Sequence, residues 1–173
     1  MKGMATVQKF SFTVMVAMLL GCASNEMRTI SGSGSVALDP KAIVYIAIPA
    51  ENSSNSPGQY VATVLADEFS KRGIKVNMAE GAASHEANLA AAQKQGAGYL
   101  IIPVLTNWEH NATQWSGNPS TLGLRLSILN AATGVQIRLD NIESQSSHLS
   151  LFGTDPKELL DDAFEKYIKD LYH

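Results

Sequence analysis

Ile43 to Ile48 reads Ile-Val-Tyr-Ile-Ala-Ile, an unbroken apolar run closed by Pro49. A run this short, with no polar alternation, is the pattern of a strand buried on both faces. It therefore demands covering layers on either side, and the sequence after it supplies them. A polar loop, Glu51-Asn52-Ser53-Ser54-Asn55-Ser56, leads to Pro57, which opens a helix with Val61, Val64, Leu65 and Phe69 on one face. Arg72-Gly73 closes that helix with a basic residue followed by glycine. Ile74, Val76 and Met78 alternate with Lys75 and Asn77 as a second strand. Ser84 to Gln95 is Ala-rich and helical, stopped by Gly96. Tyr99 to Leu105 is a third strand in which Pro103 marks a bulge or an unpaired position.

Beyond residue 105 the pattern changes from strand-helix to strand-strand. Leu122, Leu124, Leu126 and Ile128 alternate with Gly123, Arg125 and Ser127, and Asn130-Ala131-Ala132-Thr133-Gly134 turns the chain. Val135, Ile137 and Leu139 are the apolar set of the returning strand, and Glu143 to His148 extends it with one wet face. Asp155-Pro156-Lys157-Glu158 has the N-cap, first-turn proline and following glutamate of a helix start. Leu160, Ala163, Phe164, Tyr167, Ile168 and Leu171 then form one stripe to the C-terminus. The expected architecture is an α/β three-layer sandwich, β-α-β-α-β then a β-hairpin and a C-terminal helix. Its mixed five-stranded sheet has the 43–48 strand between the strands at 74–78 and 99–105, because both crossovers are right-handed. The hairpin extends the sheet antiparallel beyond the 99–105 strand.

The N-terminus carries an address. Lys2 and Lys9 precede the apolar run Phe10 to Leu20, the charged and apolar regions of a secretory signal. Eleven residues rise about 16 Å as a helix, roughly half the hydrocarbon thickness, too little to span. The run ends Leu19-Leu20-Gly21-Cys22, which resembles a bacterial lipobox, and Cys22 is the only cysteine of the chain. That resemblance implies a signal peptide at 1–21, cleavage before Cys22, and diacylglyceryl and palmitate-type acyl chains on it. Several chains together anchor stably. Ala23 stands where an Asp retains Gram-negative lipoproteins in the inner membrane, so the resemblance implies the outer membrane, on its periplasmic face. Residues 22–40 are then the acylated cysteine and a Ser/Gly-rich flexible tether, and 41–173 a single globular domain. Gly32-Ser33-Gly34 lacks the strand and helix that a dinucleotide loop needs.

Composition narrows function by exclusion. After cleavage 152 of 173 residues remain, enough for one domain with its own core, and loss of Lys2 and Lys9 takes the net charge from −3 to −5. An acidic domain without a basic cluster is no nucleic-acid binder. His85, His110, His148 and His173 fall in no metal-ligand spacing, so neither metal nor cofactor is expected. No nucleophile elbow, Walker loop or CxxC occurs. The 51–56 loop before a helix start has the position of an anion site, or simply caps the helix. The mixed polar face of the last helix favours core packing over a membrane surface. Trp108 and Trp115, the two tryptophans, flank a polar segment of the long 106–120 loop. With Glu109 they form a candidate docking patch for a partner protein or glycan, or else a satellite core beneath the loop.

Trp108 to Gly117 reads Trp-Glu-His-Asn-Ala-Thr-Gln-Trp-Ser-Gly. With the lipobox, Ile43-Val44-Tyr45-Ile46-Ala47-Ile48-Pro49 and the segment Phe152 to Leu160, it resembles a family of bacterial lipoproteins known only as a domain of unknown function. The resemblance runs from about residue 42 to the end. His110 and Asn111 depart from the acidic residue and the Arg common there, and the family supplies no catalytic residues. More loosely, the order of elements is similar to periplasmic domains of the curli-secretion lipoprotein and of lipoprotein activators of penicillin-binding proteins. Together these imply a non-enzymatic, lipid-anchored envelope module that binds another envelope protein or copies of itself. The alternative is a small-molecule or glycan binder.

Overall fold

The computed structural model describes residues 26–31, 36–49, 57–111, 118–146 and 155–172. The signal, Cys22, the 51–56 loop, Trp115, His148 and His173 lie outside them. The strands are β1 (Glu26–Ser31), β2 (Val44–Ile48), β3 (Val76–Ala82), β4 (Tyr99–Glu109), β5 (Thr121–Asn130) and β6 (Gln136–Gln145). The helices are α1 (Pro57–Lys71), α2 (His85–Lys94) and α3 (Pro156–Leu171). One mixed sheet has the order β1-β6-β5-β4-β2-β3. β2 is parallel to β3 and β4, and β4, β5, β6 and β1 run antiparallel in succession. The five expected strands thus stand in the expected order, and β1 adds a sixth.

Local chemistry explains each helix boundary. Asp155 caps α3, accepting from the Lys157 amide at 2.9 Å, with Pro156 in the first turn. Ser84 caps α2 by accepting from the Ala87 amide. Gly73 and Gly96 follow α1 and α2 with φ of 77° and 66°, a left-handed conformation that glycine adopts without penalty. All five residues of β2 are buried, as a strand covered on both faces requires. α1 and α3 pack together over one face, where the rows Ile46-Ile101-Ile128 and Leu124-Ile142 meet Phe69, Phe164 and Ile168. Pro103 lies beyond Ile101, the last β4 residue paired with β2, and pairs only with Leu126 of β5, so no β2 partner there calls for its missing N–H.

Three expectations are corrected. First, the segment read as a flexible tether is partly ordered. Glu26–Ser31 pairs with β6 along its whole length and covers an edge that would otherwise stay open. Leu38, 3% exposed, joins the core, and its amide donates to the Leu171 carbonyl at 3.0 Å. Ser and Gly content marked a linker, but Thr29, Ile30 and Leu38 suffice for a strand and a core plug once β6 and α3 are present.

Second, β6 is turned over relative to its apolar pattern. Arg138, Asp140, Ile142 and Ser144 are buried under α3, whereas Ile137 and Leu139 are half-buried on the other face and Val135 is exposed. A one-residue change of register moves every side chain across the sheet. Here the bulge between the Ile128–Arg138 and Leu129–Gln136 pairs, together with the Tyr167 hydroxyl opposite Asp140, sets the parity.

Third, β4 does not stop at Leu105. A bulge between Leu105 and Asn107 lets pairing with β5 continue to Glu109, so Trp108 and Glu109 stand on a strand and not in the loop.

Candidate functional site

The half of the sheet opposite α1 and α3 holds the features that face solvent. α2 covers its lower end, where Gln93 Nε2 donates to the Ala131 carbonyl at 3.0 Å. Above α2, cross-strand pairing sets two rows side by side. Ile102, Ser127 and Leu139 form one, and Val104, Arg125 and Asn141 the next. Val104 is 46% exposed, and Arg125 Nε donates to Asn141 Oδ1 at 3.2 Å. Among the described residues no helix covers these two rows.

At the upper end the same face becomes polar and concave. A cleft of about 480 Å³ is lined by Thr106, Asn107, Thr121, Gly123, Glu143 and Gln145, among others. Two sequence features make it. The bulge places both Thr106 and Asn107 opposite one residue, Gly123. Gly123 leaves room for them, since a Cβ there would lie 2.6 Å from Thr106 Oγ1 and 3.2 Å from the Asn107 amide. Asn107 Nδ2 donates to Thr121 Oγ1 at 2.8 Å, and Thr121 Oγ1 donates to Glu109 Oε2 at 3.4 Å. The lining offers amides, hydroxyls and the Glu143 carboxylate. That inventory suits hydrogen bonding to a polar group.

Of the expected docking residues, Trp108 and Glu109 are split across the sheet. Trp108 pairs with buried Leu122 and packs, half-buried, on the core. Glu109 is exposed on the opposite face beside Thr121. Strand alternation forces this separation once β4 reaches Glu109. Among the described residues no group of three His, Cys, Asp or Glu side chains is placed to hold a metal, and no helix is long and apolar enough to cross a membrane.

A second polar constellation, hidden from the apolar pattern, lies between β6 and α3. Arg138 Nε donates to Asp140 Oδ2 at 2.5 Å, Arg138 Nη2 donates to Asp170 Oδ2 at 3.0 Å, and the Tyr167 hydroxyl donates to Asp140 Oδ2 at 2.7 Å. Asp140 is fully buried and Arg138 is 5% exposed. The guanidinium also sits 5.9 Å from the Tyr167 ring centroid. Burial works to lower the Arg138 pKa, but its hydrogen bonds to Asp140 and Asp170 prevail and raise it. Burial, then the Asp140 charge and hydrogen bond, push the Tyr167 phenol far above its ordinary value. The sequence signal for this cluster is two opposite charges at strand spacing i, i+2, which share one face. A sealed pair of this kind ties elements together and offers nothing to a ligand.

The fold is similar to that of solved structures at low sequence identity. A subunit of the PelC dodecamer from Paraburkholderia phytofirmans superposes with a TM-score of 0.63 at 15% identity, covering 86% of this chain and 98% of that one. A DUF330 protein from Xanthomonas campestris gives 0.50 at 10% identity, covering 81% and 90%. Lipoprotein GNA1162 from Neisseria meningitidis gives 0.48 at 15%, covering 75% and 99%. At these identities the likeness is one of fold. No curated protein matches the chain. The match that reaches the sequence itself spans residues 36–171, and by it the chain belongs to the family described as domain of unknown function DUF4823.

Proposed function

We propose that this protein is a lipid-anchored envelope component, held through acyl chains on Cys22 at the periplasmic face of the outer membrane, that works without catalysis by assembling with copies of itself. The observation that carries the reading is the sheet face of β4, β5 and β6 that no helix among the described residues covers, where Ile102, Val104 and Leu139 border Arg125 and Asn141. A mixed apolar and polar patch on a rigid sheet is the composition of a protein interface. The PelC subunit with the same fold assembles as a dodecamer, which supports a second copy of this chain as the partner. Detergent-extracted mature protein should show a mass of several copies by light scattering. Val104→Lys with Leu139→Glu should reduce it to one copy while the melting temperature holds. A monomer from the wild type across the micromolar range would reject self-assembly.

The cleft beside Gly123 favours a second reading, in which a glycan or small polar molecule binds at Thr106, Asn107 and Glu143. Thermal-shift measurements against neutral envelope glycans test it: a rise abolished by Asn107→Ala supports ligand binding, and no rise rejects it.

The anchor has its own test. Cys22→Ser should abolish the acylated, membrane-bound mature form. Mature wild-type protein without lipid mass on Cys22 would reject the localisation.

A further inference from the structure

Cys22 precedes the first residue of β1, Glu26, by four positions. Four fully extended steps reach about 14 Å. β1 is itself locked into the sheet, since Glu26 pairs with Gln145, Gln145 with Thr121, and Thr121 with Glu109. The row Glu26-Gln145-Thr121-Glu109 is therefore the end of the sheet at which the chain following Cys22 enters it. At the other end of β5 and β6 lies the 131–135 turn. A strand of ten residues such as β6 spans about 33 Å.

We infer that β1 converts the lipid anchor into a short stalk. The domain then stands on the lipid headgroup layer with its Glu109-Thr121-Gln145 end towards the bilayer and the Asn130–Val135 turn away from it. This orientation rests on the acyl anchor proposed above. A free chain from Cys22 to residue 40 would instead have a root-mean-square reach of about 25 Å and would fix no orientation. With β1 in the sheet, the Val104 and Arg125 face of β4, β5 and β6 stands upright on the membrane. Neighbouring anchored copies then meet side by side, and the cleft at Gly123 opens close to the headgroups. The partner of the Glu109-Thr121-Gln145 end is thus a lipid surface.

The chain's single native cysteine is the acylated one, so one introduced cysteine labels cleanly. Full-length lipidated protein carrying a fluorophore at His110→Cys or at Ala132→Cys, both exposed positions, is reconstituted in phosphatidylethanolamine–phosphatidylglycerol vesicles containing a headgroup energy acceptor. The inference requires transfer several-fold more efficient from position 110 than from 132. Thr29→Pro, which removes a backbone donor from β1, should bring the two efficiencies together. Equal efficiencies in the parent protein while it floats with vesicles would overturn the stalk and leave the anchor standing. Asymmetry that survives Thr29→Pro would overturn β1 as its cause. Failure to float with vesicles would overturn the anchor, and the stalk with it.

Discussion

The Tyr167 hydroxyl donates to Asp140 Oδ2 at 2.7 Å inside the protein, joining the C-terminal helix to the strand that carries the only fully buried charge among the described residues. Arg138 reaches the same oxygen and also Asp170, so two elements distant in sequence are tied by one carboxylate. The arrangement commits β6 to presenting its charged side to α3. It also explains why α3 has a hydroxyl-bearing Tyr at 167 in an otherwise apolar stripe.

Asp140→Ala should destabilise the protein by about 3–5 kcal/mol, because Arg138 is left buried without its main partner. Arg138→Met combined with Asp140→Leu should recover most of that loss, since neither charge then has to be desolvated. Urea titration of the three proteins checks both statements. A single variant no worse than the double would mean that the buried pair carries little coupling.

Alkaline pH should unfold the protein through two tyrosines. Tyr172 is pushed up to about 12 by burial and by Tyr99 and Asp39 nearby, and its hydroxyl has no hydrogen-bond partner among the described residues. Tyr167 is raised further. A raised acid pKa means that above about pH 10 the unfolded chain releases protons the folded one retains, so stability is complete below pH 10 and falls as pH rises beyond it. Tyr172→Phe should remove its part of the fall between about pH 10 and 12 and leave stability at pH 7 unchanged or higher. Denaturant midpoints at pH 8, 10 and 11 measure the slope.

Gly123→Ala should distort the bulge. Its Cβ would meet Thr106 Oγ1 at 2.6 Å, and the Asn107 Cβ and amide at 3.1 and 3.2 Å. Overpacking of this kind costs about 1–3 kcal/mol. Thr106→Ala in the same chain should restore only part of that, because the Asn107 contacts remain. Melting temperatures of the single and double variants decide it, and full restoration would show that the backbone there is free to move.

A chain starting at residue 41 should be less stable than one starting at residue 36. It lacks Leu38 and the amide that donates to Leu171, and burying a leucine is worth about 1.5–3 kcal/mol. Parallel thermal melts of the two chains test this, with equal melting temperatures as the contrary result.

Local sequence set the order of the elements from β2 onward, the cap at Asp155, the place of β2 between β3 and β4, and the apolar stripe of α3. These follow from local periodicity and capping chemistry, which neighbouring residues set among themselves. The candidate site was less legible. Trp108 and Glu109 are adjacent in sequence, but whether they act together depended on how far β4 runs. That was decided by the Gly123 gap on the facing strand, which accommodates the bulge at Thr106. The parity of β6 was likewise out of reach. Ile137 and Leu139 are the more apolar set, and only the Tyr167 hydroxyl and Asp170, arriving from a helix some thirty residues later, make Arg138 and Asp140 the buried one. The strand β1 carried no signal beyond a few β-formers in a Ser- and Gly-rich stretch, because an edge strand owes its existence to the partner that offers it hydrogen bonds. Tertiary structure decided each of these, since each turns on a contact between residues far apart in the chain that no local pattern encodes.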